Sequence, residues 1–104
     1  MSDKNFVAVA KVEEVPAGKT KAVTVGGLSI LLANSGGTLF AVSNLCSHAD
    51  EKLECGRMKN GWIACPIHGA RFDLETGEPM NPPATQPIAT YEVRVEGDTI
   101  EIAV

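Results

Sequence analysis

The sequence predicts an all-β chain: a small antiparallel sandwich or barrel of short strands, with an inserted subdomain of loops and strands. Three observations carry this. Apolar residues alternate with polar ones over stretches of five or six residues, glycine pairs punctuate them, and no run of a dozen residues shows a 3.6-residue period. A substantial helix is therefore not expected.

The strands follow in order. Residues 6–11 (FVAVAK) open the pattern. Val23 and Val25 alternate with Thr24, and Leu28, Ile30 and Leu32 alternate with Ser29, Leu31 and Ala33, across a two-residue Gly26-Gly27 turn. A second turn, Asn34-Ser35-Gly36-Gly37, leads into Thr38–Val42. Near the end Tyr91, Val93 and Val95 alternate with Thr90, Glu92 and Arg94, and after Glu96-Gly97-Asp98 the pattern resumes at Ile100 and Ile102. Two stretches fit poorly, residues 43–73 and the proline-rich 78–87. Pro82, Pro83 and Pro87 offer no backbone N–H, so the second stretch reads as a stiff loop, not a central strand. With 104 residues the chain is expected to be one domain, 1–104.

Composition excludes several function classes. The chain is 44% hydrophobic and 21% charged, as ordinary folded proteins are. Nine basic and thirteen acidic residues give a net charge of −4, which argues against nucleic acid as a partner. The longest aliphatic run, Ile30-Leu31-Leu32-Ala33, is far short of a membrane span, and Met1–Asn5 lacks the plan of a signal peptide. A cytoplasmic protein is expected. Three cysteines, an odd number, favour metal or redox chemistry over a disulfide framework.

The poorly fitting middle holds every histidine and cysteine. Cys46-Ser47-His48 and Cys65-Pro66-Ile67-His68 form C-x-H and C-x-x-H pairs with sixteen residues between His48 and Cys65. Each pair offers one sulfur and one nitrogen from a short loop. A structural zinc site would use the same donor types, but zinc fingers usually group two cysteines apart from two histidines. Cys55 stands at no ligand offset and reads as a small buried filler, with a redox sensor as the alternative.

This pattern resembles the Rieske iron–sulfur family. The likeness extends to Gly61-Trp62-Ile63-Ala64 before Cys65, to His68-Gly69-Ala70-Arg71-Phe72-Asp73, to Thr76-Gly77 and to the proline loop, and so covers essentially the whole chain. The resemblance implies one [2Fe–2S] cluster, with Cys46 and Cys65 on the inner iron and His48 and His68 on the outer iron, at the tip of the molecule. Two ferric ions and two sulfides balance two thiolates, so the oxidised centre is neutral, and neutrality raises its potential above that of four-thiolate ferredoxins. The high-potential respiratory members carry two further cysteines; Glu51 and Ile67 stand there instead. Where those members place a serine and a tyrosine that hydrogen-bond to sulfur, this chain has Ala70 and Phe72. The resemblance therefore implies the low end of the Rieske range, about −150 mV.

Within the family the chain is most similar to free-standing ferredoxins of bacterial aromatic-ring dioxygenase systems. That implies an electron carrier, not an enzyme: a flavoprotein NAD(P)H-dependent ferredoxin reductase supplies single electrons, and a terminal oxygenase receives them. Contacts should be transient and below about 1,200 Å², basic partner surfaces should complement the negative charge, and a monomer is expected. Two alternatives are a Rieske-like small subunit of an assimilatory nitrite reductase and a zinc-stabilised interaction module. Trp62 and Tyr91 read as packing residues, Gly69 and Gly77 as turn residues, and the pairs Glu13-Glu14 and Asp50-Glu51 as solvated surface, the latter with a docking role as its alternative. In the resembling family the loop of Pro82 and Pro83 covers the flank of the cluster. The cluster-binding subdomain is drawn at 43–73 and the proline loop at 78–87.

Overall fold

A computed structural model describes residues 5–45, 52–53, 56–66, 69–80 and 86–103. Among these, ten strands form three antiparallel sheets, and a 3₁₀ turn at Val12–Glu14 follows the first strand. The all-β expectation is met. No helix among the described residues is long and apolar enough to cross a membrane.

The strands are β1 (Phe6–Lys11), β2 (Thr20–Val25), β3 (Leu28–Ser35), β4 (Thr38–Ser43), β5 (Met58–Lys59), β6 (Trp62–Ala64), β7 (Arg71–Asp73), β8 (Thr90–Tyr91), β9 (Val93–Glu96) and β10 (Thr99–Ala103). One sheet runs β1-β10-β9, a second β2-β3-β4-β8 and a third β5-β6-β7. The Gly26-Gly27 turn joins β2 to β3 with Val25 opposite Leu28, and φ of 55° and 83° explains why glycine fills both positions. Asn34 supports the next hairpin: its side-chain oxygen accepts the Gly37 N–H at 2.9 Å, and its amide donates to the Val15 carbonyl at 2.8 Å.

Strand β3 departs from the simple alternation of its sequence. Ile30, Leu31, Leu32 and Ala33 are all fully buried, because cores lie on both faces of the second sheet. Ile30 and Leu32 join Val15, Ala41, Ile100 and Ile102, against the first sheet. Leu31 and Ala33 join Val42, Leu53, Ile63, Ala70 and Phe72, against the third sheet. Burying each large aliphatic side chain contributes about 1.5–3 kcal/mol. An unbroken apolar run in a strand is the mark of such two-sided burial. Leu28, in step with Ile30 and Leu32, is nonetheless 47% exposed at the sheet's end.

The surface assignments hold where they are described. Glu13 and Glu14 are exposed, and Glu14 accepts the Lys11 N–H at 2.9 Å and pairs with Lys21 at 3.4 Å. Tyr91 is half-buried against the first of the two cores. Asp50 and Glu51 lie outside the described residues.

Candidate metal centre

The third sheet exists to hold a loop. Ile63 and Phe72 point inward and are fully buried, which turns Trp62, Ala64 and Arg71 to the outer face. Trp62 is half-buried there, with the Arg71 guanidinium 4.7 Å from its ring centroid, so it packs on the sheet face as its strand context predicts. Between β6 and β7 the chain makes a tight loop beginning at Cys65. The Cys65 N–H donates to the Ala70 carbonyl at 2.7 Å, and the Gly69 N–H donates to the Cys65 carbonyl at 2.9 Å. Gly69 takes φ of 71°, the turn conformation its residue type predicts. Cys65 is 1% exposed, carries a free thiol and belongs to the same core as Ala70 and Phe72. His68 and Ile67 lie outside the described residues.

The first Cys/His segment hangs from a closed neck. The Leu53 N–H donates to the Asn44 carbonyl at 2.7 Å, Leu45 bridges to Lys52, and the Leu45 N–H donates to the Ser43 hydroxyl at 3.2 Å. Cys46, Ser47, His48 and Ala49, like Cys55, lie outside the described residues. Leu53, at the returning limb, is fully buried in the core that contains Cys65. The chain then turns, with the Gly56 N–H donating to the Leu53 carbonyl at 2.8 Å, and runs along β6.

One hydrogen-bonded row gathers the anchors of all three loops. The Ala64 N–H donates to the Arg57 carbonyl at 2.8 Å, Ala64 pairs with Arg71, and the Met80 N–H donates to the Arg71 carbonyl at 2.8 Å. Arg57 leads back to the first loop, Ala64 precedes Cys65, and Met80 leads into the proline loop. Pro82 and Pro83 lie outside the described residues; Pro79 bridges to Phe72, and Pro87 is exposed. Beyond the loop the Ile88 N–H donates to the Gly77 carbonyl at 2.9 Å. Gly77 has φ of 78° and packs so tightly on the Ile88 carbonyl that no Cβ fits. An open cleft of about 430 Å³ borders the row, lined in part by Arg57, Trp62, Cys65, Pro66 and Arg71.

A buried thiolate is costly unless a cation compensates it, and a soft sulfur donor suits iron, copper or zinc. Cys65 meets that description: buried, unpaired with another cysteine, and at the root of a loop carrying a histidine. Leu53, in the neck of the first Cys/His segment, stands in the same core. Among the described residues Cys65 thus suits a soft metal as one sulfur donor, with the return of the first loop in the same core. The described residues alone contain no group of three His, Cys, Asp or Glu able to hold a metal ion. Sequence reasoning missed Asn44 and Gly56, whose parts in holding the first loop have no periodic signature. The only available signals were a polar residue ending an apolar strand and a glycine just past a cysteine.

Comparison with known proteins adds the family. Residues 5–92 match the Rieske [2Fe-2S] domain. A naphthalene 1,2-dioxygenase system ferredoxin component from Pseudomonas aeruginosa is 38% identical over 102 residues, covering 98% of this chain and 97% of that protein. The solved ferredoxin of carbazole 1,9a-dioxygenase from Nocardioides aromaticivorans superposes with a TM-score of 0.90 at 36% identity, over 95% of this chain and 97% of that one. A chain from a complex of reduced oxygenase and oxidised ferredoxin in carbazole 1,9a-dioxygenase gives a TM-score of 0.89 at 26% identity, covering 97% of this chain and 94% of that one.

Proposed function

The chain belongs to the Rieske [2Fe-2S] domain family, and from that premise we propose that it is the ferredoxin component of a multicomponent aromatic-ring dioxygenase. It carries electrons and does not itself transform a substrate. The observation that carries this reading is the likeness to a ferredoxin component over 98% of this chain and 97% of that protein. The partners in this reading are a flavoprotein NAD(P)H-dependent reductase and a terminal oxygenase, met in turn. The capture of a ferredoxin with its oxygenase in the carbazole system supports the second of these. We read the carrier as a cytoplasmic monomer acting as one domain over residues 1–104, with its cluster-binding part at 43–73 and a proline loop at 78–87.

Cys46, His48, Cys65 and His68 are the residues we assign to hold the cluster. When bound, the cluster supplies a centre that takes up and releases one electron at a time. The protein's own contribution is rigidity and exclusion of water on the thiolate side. Cys65 sits in the same core as Ala70 and Phe72, and the backbone bonds of its loop hold its main chain in place. A carrier that changes little in shape between oxidation states reorganises little, which favours rapid transfer. Association with each partner is read as small in area and assisted by basic partner surfaces.

The test is reconstitution. With NADH, a flavoprotein reductase and a naphthalene-type oxygenase, product should form only when this chain is added. Reduction of the chain without any product across a panel of aromatic-ring oxygenases would overturn the reading.

A further inference from the structure

We propose that Asn44 is a positioning residue for the cluster, holding the first ligand segment in place through Ser29. The proposal rests on the reading of Cys46 as a ligand, two residues beyond Asn44.

Asn44 is 1% exposed, buried just where β4 ends and the ligand segment begins. It ties three pieces of chain together. Its N–H donates to the Ser29 carbonyl at 3.0 Å, its side-chain Nδ2 donates to Ser29 Oγ at 3.1 Å, and its carbonyl accepts the Leu53 N–H at 2.7 Å. Ser29 belongs to β3, the most deeply buried strand, while Leu53 begins the return from the ligand segment. Both limbs of that segment are therefore tied to the start of β3, next to its buried run Ile30–Ala33, through a single residue.

The main-chain bonds could be made by any residue. The side-chain bond is what favours asparagine over an apolar residue: the buried Nδ2 needs an acceptor, and the Ser29 hydroxyl is one. Residues that orient metal ligands from behind tune the metal as well as retaining it. Loosening Asn44 should accordingly change the electronic state of the cluster and not merely the melting temperature.

The test uses the cluster-loaded protein carrying Asn44→Leu or Ser29→Ala. Four quantities are read: iron loss to a chelator, midpoint potential, the electron paramagnetic resonance of the reduced state, and hydrogen exchange at the Leu53 amide. Asn44→Leu should lose iron about tenfold faster, broaden the resonance, displace the potential and speed Leu53 exchange. Ser29→Ala should move each quantity in the same direction by less. If both variants keep the native resonance, potential and iron retention while only the melting temperature falls, the positioning role is overturned. If Asn44→Leu does not fold, Ser29→Ala decides on the same readouts. Cys46→Ala separates the two readings. A full cluster in that variant would overturn the ligand assignment, whereas a lost cluster there beside unaffected Asn44→Leu and Ser29→Ala proteins would overturn only the role of Asn44.

Discussion

Gly56 lies directly against the Ala64 carbonyl, so close that a Cβ at position 56 would overlap the oxygen, and it also abuts the Leu53 carbonyl. This contact presses the return of the first loop onto the strand residue that precedes Cys65. Beside it the Ala64 N–H bond to the Arg57 carbonyl ties the same two stretches of backbone.

Gly56→Ala should therefore separate the loops. Backbone must move, since neither carbonyl is the free end of a side chain, and overpacking of this kind costs about 1–3 kcal/mol. Gly69 is the useful contrast: open space surrounds its Cβ position, and only its positive φ opposes alanine, at about 1–2 kcal/mol. Iron content per chain and thermal melting should both fall further in Gly56→Ala than in Gly69→Ala. The reverse order would contradict the packing described for the first loop.

A low potential is expected from missing hydroxyls. Ala70 and Phe72 are fully buried in the core that holds Cys65, and their side chains offer no donor to a cluster sulfur. Hydrogen bonds to sulfur stabilise the reduced state, so the midpoint should lie near the low Rieske limit, about −150 mV. Ala70→Ser should raise it. Redox titration measures both, and a clearly positive native potential, or a lower one in Ala70→Ser, would contradict this account.

Cys55 is assigned no part in the ligand set. Cys55→Ala should retain its full complement of iron and its visible spectrum, whereas Cys65→Ala should lose both. Iron analysis of the two purified variants checks the pair. Loss of the cluster in Cys55→Ala would require a different set of donors.

Much of this was legible in the sequence, and for identifiable reasons. The Gly26-Gly27 hairpin was readable because glycine pairs between alternating strands have one cheap solution. The Cys/His spacing was readable as a family resemblance, and the family is what the match over residues 5–92 supports. The two-sided burial of Ile30–Ala33 has its signal in the unbroken aliphatic run, which the alternation reading of β3, counting only one core, passed over. Asn44 and Gly56 were hidden for a related reason: each matters through contact with a residue distant in sequence, Ser29 for one and Ala64 for the other.

Acid should reveal a small surface contribution. The Lys11 backbone N–H, followed by the Lys21 ammonium, holds the Glu14 carboxyl below the ordinary glutamate range. A depressed folded-state value means stability that is present above the unfolded value and is lost as pH falls through the folded one. Glu14→Gln should therefore narrow the stability difference between neutral and acid pH, in unfolding measurements made across the carboxylate range. Because Glu14 is exposed, the change should shrink in high salt. A pH dependence unaltered by the substitution would contradict it.

The central claim is a cluster held by two sulfurs and two nitrogens. Electron spin echo modulation of the dithionite-reduced protein tests it most directly. The account predicts coupling to two inequivalent ligand nitrogens, with one lost in each of His48→Cys and His68→Cys if those variants assemble. A reduced protein without nitrogen coupling, or a colourless protein containing zinc and no iron, would contradict it.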